Sequence, residues 1–321
     1  MTLLADAREK WSGAVNSVTL GADRAAGGSR TSVVTLGGGG GLPFAAFDGA
    51  MPHRAAVALE VWDCAPTDWP TPLLAAWGDV LSDPAAWARA CVEKHGADLI
   101  CLRLMSTHPD LGNTSPAQAA ETVKAVLKAA GVPLIIWGCD LPEKDNVVLP
   151  VCSQAAAGER CLLGAVTEDN YKTLVASCIA DGHCLIGLSP IDINIAKQVN
   201  VLVTEMGFPL DRLVMYQTTG ALGYGLEYTF SIQERGRLAA LGGDRLMAVP
   251  VICMVGQEAW RTKEARAAKE ELPDWGNEQQ RGVYWELATA AALLQAGSDI
   301  LVMRHPAAAA AIKTTISRLT A

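Results

Sequence analysis

Eight short apolar runs, each followed by a helical pattern, constrain the fold of this 321-residue chain more than any other feature. Hydrophobicity within the runs is continuous rather than alternating, which is typical of parallel strands that are buried on both faces. Several of the intervening helical patterns end on glycine just before the next run, which is a common helix C-terminal signal. The predicted strands span residues 56–61, 99–104, 134–138, 162–166, 184–188, 213–216, 248–254 and 300–303.

Eight strand–helix units close naturally into a (β/α)8 TIM barrel, in which chemistry collects at the carboxyl ends of the strands. An open doubly wound sheet has the same order of elements and stays as the alternative. Residues 1–54 fall outside the repeat and contain two strand-like segments, 17–20 and 32–36, before five consecutive glycines. We therefore predict that residues 1–54 form an N-terminal hairpin extension and residues 55–321 form the barrel. The hairpin either plugs the lower mouth of the barrel or covers its rim, and the two parts form a single structural domain.

Composition excludes several classes of function. The net charge is -8 with scattered Lys and Arg, so the chain has no basic patch for a nucleic-acid backbone. Charged residues interrupt the first ten positions, where a secretory signal would need an apolar segment. No apolar segment approaches the roughly 18 residues of a membrane span. The nine cysteines, an odd number, lie mostly within apolar runs. These features predict a cytoplasmic protein.

The sequence offers no complete catalytic or metal-binding motif. The closest cysteine pair, Cys178 and Cys184, is too widely spaced for iron–sulfur ligation, so we expect no cluster on this chain. Cys64, Cys139 and His305 follow different strands and are unpromising as a zinc site. His183 lies in a segment that resembles a cobalt-ligating signature, but the glycine of that signature is one residue late, and we interpret His183 as a core residue. We therefore predict no catalytic residues and no metal ligands.

Two loops at the carboxyl ends of predicted strands are candidate binding segments. Asp192 and Asn194 follow the fifth strand, and the segment 220–225, with glycine at positions 220, 223 and 225, follows the sixth. Glycines there either let the backbone approach a flat ligand closely or simply form a wide turn. The glycine run 37–41 has no Lys-Ser or Lys-Thr after it, so we interpret it as a flexible loop rather than as a phosphate-binding loop.

Short stretches spread over nearly the whole chain resemble the small subunit of the corrinoid iron–sulfur protein of the acetyl-CoA pathway. They include Gly-Gly-Ser-Arg at 27–30, Ser-Pro-Ile-Asp-Ile-Asn-Ile at 189–195, Gly-Tyr-Gly at 223–225, Pro-Val-Ile-Cys at 250–253, Glu-Ala-Trp-Arg at 258–261 and Arg-His-Pro at 304–306. No single stretch is diagnostic of a chemistry, but their order and spacing make an accidental match improbable.

This resemblance implies a barrel related to methyltetrahydrofolate-binding methyltransferases that pairs with a large subunit. The large subunit would hold a four-iron cluster and the corrinoid (a cobalamin), which the two subunits share at their interface. The heterodimer would carry a methyl group from methyltetrahydrofolate methyltransferase to acetyl-CoA synthase in carbon fixation, with a reductive activator as a further partner. The small subunit would then cover the corrinoid without being a catalyst on its own.

We predict that one face of the barrel contacts the corrinoid, through hydrogen bonds from Asn194 and the glycine loop and through packing of Tyr224. Two other interpretations stay open. The chain could be a stand-alone pterin-dependent methyltransferase that uses Asp140, Asp192 and Asn194, or a scaffold whose rim never meets the corrinoid. The predicted corrinoid-facing residues are Ser29, Arg30, Thr31, Asp192, Asn194, Gly220, Gly223, Tyr224 and Gly225.

Overall fold

The computed structural model describes residues 8–45 and 47–320. Two antiparallel strands, β1 (Ser17–Leu20) and β2 (Val34–Gly37), precede the eight strands of the main sheet. The strands of the main sheet are β3 (Ala56–Trp62), β4 (Leu99–Arg103), β5 (Leu134–Trp137), β6 (Leu162–Val166), β7 (Cys184–Leu188), β8 (Leu213–Tyr216), β9 (Ile252–Cys253) and β10 (Ile300–Met303).

The main sheet is a closed parallel barrel. From β3 to β8 each strand pairs with the next in chain order, and β10 pairs with both β3 and β9. Between β8 and β9 the ring closes through a parallel bridge between Met215 and Val251, beside a 2.8 Å hydrogen bond from the Met215 N–H to the Pro250 carbonyl. This closure confirms the predicted TIM barrel and excludes the open doubly wound sheet.

Helices alternate with the strands and cover the outside of the barrel. Within the described part of the chain the α-helices are α1 (Thr71–Trp77), α2 (Pro84–Glu93), α3 (Pro116–Ala129), α4 (Pro142–Ala155), α5 (Tyr171–Asp181), α6 (Ile193–Glu205), α7 (Leu226–Leu241), α8 (Val255–Ala259), α9 (Lys263–Arg266), α10 (Glu278–Ala296) and α11 (Pro306–Leu319). None of these helices has the length and apolar character needed to cross a bilayer.

Side chains alternate between the two faces of the strands, so both faces are apolar. In β3, for example, Val57 and Leu59 pack with the helices while Ala56 and Ala58 belong to a separate interior cluster. The hairpin contributes Val18, Leu20 and Leu36 to that interior cluster, together with the first residues of several barrel strands. The hairpin therefore plugs the amino end of the barrel, as one of the two predicted arrangements required.

The seventh barrel strand is much shorter than predicted. The sequence pattern indicated residues 248–254, whereas only Ile252–Cys253 forms a strand. Pro250 lies within the predicted segment and has no N–H to donate to a neighbouring strand, so regular pairing begins only after it. Its carbonyl still accepts the hydrogen bond that helps to close the barrel.

Candidate functional site

A buried ion pair stands at the centre of the carboxyl end of the barrel. Glu60, within β3, is fully buried, and Arg304, directly after β10, donates to both of its carboxylate oxygens at 3.0 and 2.8 Å. The indole N–H of Trp62 donates to the same carboxylate at 2.6 Å. Burial opposes the charge of Glu60, but Arg304, Arg103 and the Trp62 hydrogen bond outweigh burial and lower the pKa of Glu60 below its usual value. The carboxylate therefore stays ionised.

A second ion pair joins the ends of β4 and β5. Arg103 donates to one carboxylate oxygen of Asp140 at 2.5 Å, and the indole N–H of Trp137 donates to the other at 2.9 Å. The side-chain carbonyl of Gln257 accepts a further hydrogen bond from Arg103. Asp140 adopts a left-handed φ of 67°, which aspartate tolerates better than most residues. Both oxygens of Asp140 are thus engaged within the protein.

Aromatic rings fill the space around the two arginines. The Arg304 guanidinium lies 4.9 Å from the ring centroid of Trp69 and 5.5 Å from that of Trp62. Across the mouth, the rings of Trp137 and Tyr216 meet edge to face with centroids 5.2 Å apart. Ion pairs and rings together form a packed layer across the inside of the mouth, which gives this end of the barrel a filled face.

A buried carboxyl group supports the loop between β10 and α11. Glu286, on α10, accepts hydrogen bonds from the Trp260 indole at 2.7 Å and from the backbone N–H groups of Arg304 at 2.6 Å and His305 at 3.1 Å. Burial raises the pKa of Glu286 to about 7 in spite of these donors. Burial also lowers the pKa of His305, whose ring stacks on Trp260, to about 4.

Asp192 and Asn194 lie at the carboxyl end, as predicted, where α6 begins. The Asp192 carboxylate caps α6 by accepting the backbone N–H of Asn194 at 2.7 Å and of Ile195 at 3.2 Å. The Asn194 side chain is exposed. Asp192 therefore has a structural role that its position in the sequence did not reveal, while Asn194 is free to contact another molecule.

The glycine loop after β8 is a tight turn at the same end. A Cβ atom on Gly220 would lie 2.4 Å from the carbonyl oxygen of Gly225, so the turn requires glycine at position 220. Gly223 and Gly225 have φ values of 74° and 92°, in the left-handed region that favours glycine. Tyr224 is 52% exposed, and its hydroxyl accepts a 3.4 Å hydrogen bond from the Lys263 backbone. This loop presents a phenol ring and backbone on the outer rim.

Ser29, Arg30 and Thr31 lie at the opposite end of the barrel from the other six predicted residues. The Thr31 N–H donates to the carbonyl of Gly131, in the turn that leads into the amino end of β5. Arg30 is buried and donates to the carbonyls of Leu127 and Ala130 at 2.6 and 2.5 Å and to Glu159 at 2.8 Å. The nine predicted residues therefore lie at two ends of the barrel and do not form one face. Arg30 instead caps the end of α3.

His183 and eight of the nine cysteines are buried in the protein core. His183 is fully buried. Its Nδ1 accepts a 3.1 Å hydrogen bond from the Cys161 N–H, and its Nε2 lies 2.9 Å from the Ser153 carbonyl oxygen. Both ring nitrogens are thus engaged, in agreement with its interpretation as a core residue. Within residues 8–45 and 47–320, no group of three or more His, Cys, Asp or Glu side chains is placed to hold a metal ion.

The central ion pair was missed by the sequence prediction, although one signal for it exists. Glu60 is the single charged residue within the apolar run of β3, at a position that the alternation of side chains turns toward the barrel interior. A buried carboxylate needs a cationic partner, and Arg304 was already a strand-end residue. What the sequence could not reveal is that these two residues, so distant in the chain, are neighbours across the β3–β10 pair.

Comparison with known proteins identifies the family. A family model described as CO dehydrogenase/acetyl-CoA synthase delta subunit matches residues 17–318. The chain belongs to this family. The acetyl-CoA decarbonylase/synthase complex subunit delta of Archaeoglobus fulgidus is 38% identical, over 97% of this chain and 70% of the relative. The subunit delta of Methanocaldococcus jannaschii is 33% identical, over 97% of this chain and 76% of the relative. The resemblance inferred from the sequence is confirmed.

Solved structures show the same fold at much lower identity. A dihydropteroate synthase from Vibrio fischeri aligns with a TM-score of 0.57 and 14% identity, covering 85% of this chain and 95% of that one. A dihydropteroate synthase from Xanthomonas albilineans in complex with 7,8-dihydropteroate aligns with a TM-score of 0.56 and 15% identity, covering 87% and 98%. At this identity the likeness establishes the barrel fold of the delta subunit and nothing about its ligands.

Proposed function

We propose that this delta subunit is the small subunit of a cytoplasmic heterodimeric corrinoid iron–sulfur protein and covers a corrinoid held by the large subunit. The carboxyl end of the barrel is the covering face. The heterodimer carries a methyl group between methyltetrahydrofolate methyltransferase and acetyl-CoA synthase, and a reductive activator restores the corrinoid. Family membership supports the assignment to the acetyl-CoA decarbonylase/synthase complex, and the finer roles rest on the arguments below.

The observation that carries the proposal is the filled mouth of the barrel. The Glu60–Arg304 pair and Arg103 fill the carboxyl end of the interior, beneath the loops where a barrel enzyme would bind its substrate. Asp140, whose side chain is 47% exposed, lies at the edge of this layer. A face closed in this way suits a cover laid against a cofactor better than it suits a pocket. The two ion pairs also hold the face rigid, because each arginine makes more than one polar contact within it.

The rim of this face fits a wide, flat group that has amide side chains. Asn194 offers an exposed amide that can donate and accept hydrogen bonds, and Tyr224 offers an exposed ring for packing. Around Tyr224, the glycines at 223 and 225 leave the backbone open to close approach. When bound between the subunits, the corrinoid would supply the cobalt that carries the methyl group. The residues of this chain would position its ring and exclude water from it.

The competing assignment, a stand-alone pterin-dependent methyltransferase, relied on Asp140, Asp192 and Asn194 acting together. Asp140 is engaged by Arg103 and Trp137, and Asp192 caps α6, so two of the three side chains are already committed to the protein. Titration of the purified chain with methyltetrahydrofolate tests this point. We expect no micromolar binding in the absence of a large subunit, and such binding would favour the methyltransferase.

The proposal itself is tested by co-expression with a large subunit, followed by gel filtration and absorbance spectra. We expect a coloured heterodimer and a colourless lone chain. Tyr224→Ala should leave the heterodimer intact but change the corrinoid spectrum and slow methylation about fivefold, which corresponds to about 1 kcal/mol of lost packing. Tyr284→Ala, at a 61% exposed tyrosine on α10, is the matched control and should change neither.

Three results would count against the covering face. Cobalt retained by the lone chain would show that the corrinoid does not belong to the large subunit. A normal spectrum and normal methylation in both Tyr224→Ala and Asn194→Ala would indicate a scaffold whose rim never meets the corrinoid. Equal effects of Tyr224→Ala and Tyr284→Ala would show that the change is not specific to the rim.

A further inference from the structure

A cavity of about 240 Å³ lies near the amino end of the barrel, away from the covering face. Its walls come from the loop that follows the glycine run, from the α10–β10 turn and from α11. Apolar side chains, among them Phe44, Leu294 and Ile316, line most of the cavity, and Arg237 from α7 lies in its wall. The cavity therefore has a largely apolar lining, and the deeply placed Arg237 lies in its wall next to Asp299.

Arg237 has hydrogen-bonding capacity that the described protein atoms do not use. Its side chain is only 6% exposed, and Nη2 donates to the Gly297 carbonyl at 3.0 Å and lies 3.8 Å from the Asp299 carboxylate. Within the described residues, Nη1 is buried and has no hydrogen-bond partner. A buried guanidinium N–H without an acceptor is costly, so an acceptor from another molecule would stabilise it.

The glycine run covers Nη1 at the edge of this cavity. A Cβ atom on Gly39 would lie 2.8 Å from Nη1 and 3.2 Å from the sulfur of Met51, which is one of the residues that line the cavity. Glycine at position 39 thus lets the backbone cross directly over the guanidinium. The same crossing places Nη1 beside the Met51 side chain, whose flexible thioether can move aside for an incoming group.

The charge balance favours an anionic ligand. The Asp299 carboxylate accepts the Val251 N–H at 2.8 Å through one oxygen, and its other oxygen lies 3.8 Å from the Arg237 guanidinium. Arg54, which also lines the cavity, adds a second cation at its entrance, where its side chain is 58% exposed. Two arginines, Arg54 and Arg237, therefore line the cavity together with one carboxylate, Asp299, so its polar side has an excess of positive charge.

We propose that this cavity binds a small amphipathic carboxylate. The carboxylate accepts hydrogen bonds from Arg237, and the hydrocarbon part packs against Phe44, Leu294 and Ile316. A cavity of about 150 Å³ can hold benzene, so about 240 Å³ has room for a chain of about six carbons and its head group. The site is independent of the corrinoid-covering face, because it lies near the opposite end of the barrel.

Three probes with one chain length and different head groups test the proposal. Hexanoate, 1-hexanol and hexylamine are titrated against the full chain by saturation-transfer NMR. Hexanoate should bind at millimolar or lower concentration, at least about tenfold more tightly than hexanol, and hexylamine should not bind. Arg237→Met should weaken hexanoate binding at least about tenfold, while Arg89→Met, at an exposed arginine on α2, should leave it unchanged.

A second variant keeps the test decisive if Arg237→Met fails to fold, since Arg237 also contacts Gly297. Met51→Trp places a larger ring in the cavity wall and should abolish hexanoate binding while the Arg237 side chain is kept. No hexanoate binding to the unmodified chain, equal binding of hexanol, or unchanged hexanoate binding in Met51→Trp would each overturn the proposal.

Discussion

Replacing Glu60 by glutamine should be among the most damaging single changes in the barrel, because it leaves Arg304 buried without its counter-charge. Arg304 has a side-chain exposure of 7% and donates two hydrogen bonds to Glu60. Removing one partner of a buried ion pair costs about 3–5 kcal/mol, since the other charge remains desolvated. Glutamine keeps the size of the side chain and one acceptor oxygen, so the loss would reflect the charge rather than a cavity.

Urea unfolding followed by tryptophan fluorescence measures this loss as a shift in the midpoint at constant slope. The matched control is Glu121→Gln, which removes an exposed ion pair with Lys124 and should cost no more than about 0.5 kcal/mol. The double variant Glu60→Leu with Arg304→Met should recover most of the loss, because no buried charge is then left unpaired.

The pH dependence of the Glu60 effect has a definite sign. The pKa of Glu60 is lowered in the folded state, so its contribution to stability is present above the unfolded pKa near 4.5 and is lost as the pH falls through the lower folded value. The stability difference between the unmodified chain and Glu60→Gln should therefore shrink in acid. A Glu60→Gln variant as stable as the unmodified chain at pH 7 would refute the argument that this pair is ionised and buried.

Three further outcomes follow from the packing. Arg30→Met should cost about 3 kcal/mol in urea unfolding, because it removes the cap of α3 and leaves Glu159 unpaired, whereas Arg89→Met should cost less than about 0.5 kcal/mol. The folded pKa of Glu286 is raised from 4.5 to about 7, so its contribution to stability is lost as the pH rises through this range. The free energy of unfolding of the unmodified chain should therefore fall by up to about 3 kcal/mol relative to that of Glu286→Gln between pH 4.5 and 7. Urea midpoints at several pH values measure this difference. We also propose that residues 1–54 and 55–321 form one domain, so fluorescence and circular dichroism should report a single coincident unfolding transition; two transitions would contradict this.

The sequence predicted the barrel well because the signals for it are local and repeated. Four of the eight predicted barrel strands, and the hairpin strand β1, have the same first and last residues in the structure, and three others differ by one residue at their carboxyl end. The exception at β9 has a local cause, the missing N–H of Pro250, whose effect on pairing could have been anticipated. The hydrophobic periodicity and the glycines at helix ends were therefore sufficient to predict most of the fold.

The covering face was harder to predict because it depends on which loops meet in space. Asn194 and Tyr224 are placed at the carboxyl end by strand position alone, so their location followed directly from the barrel. Arg30 comes before the repeat, and no strand-end rule applies to it. Its position at the amino end depends on hydrogen bonds to carbonyls about 100 residues away in the chain, which a local pattern does not encode.

A buried arginine can have a structural role or can bind a ligand, and its hydrogen-bond partners distinguish the two roles. Arg30 has five hydrogen bonds to protein acceptors, so it is a structural cap, and its place in a glycine-rich segment is a poor guide to ligand binding. Arg237 has a similar burial, but its Nη1 has no partner among the described residues and lies beside a cavity. The same residue type thus supports opposite conclusions, because a fully used guanidinium has nothing to offer a ligand whereas a partly used one favours any acceptor that reaches it.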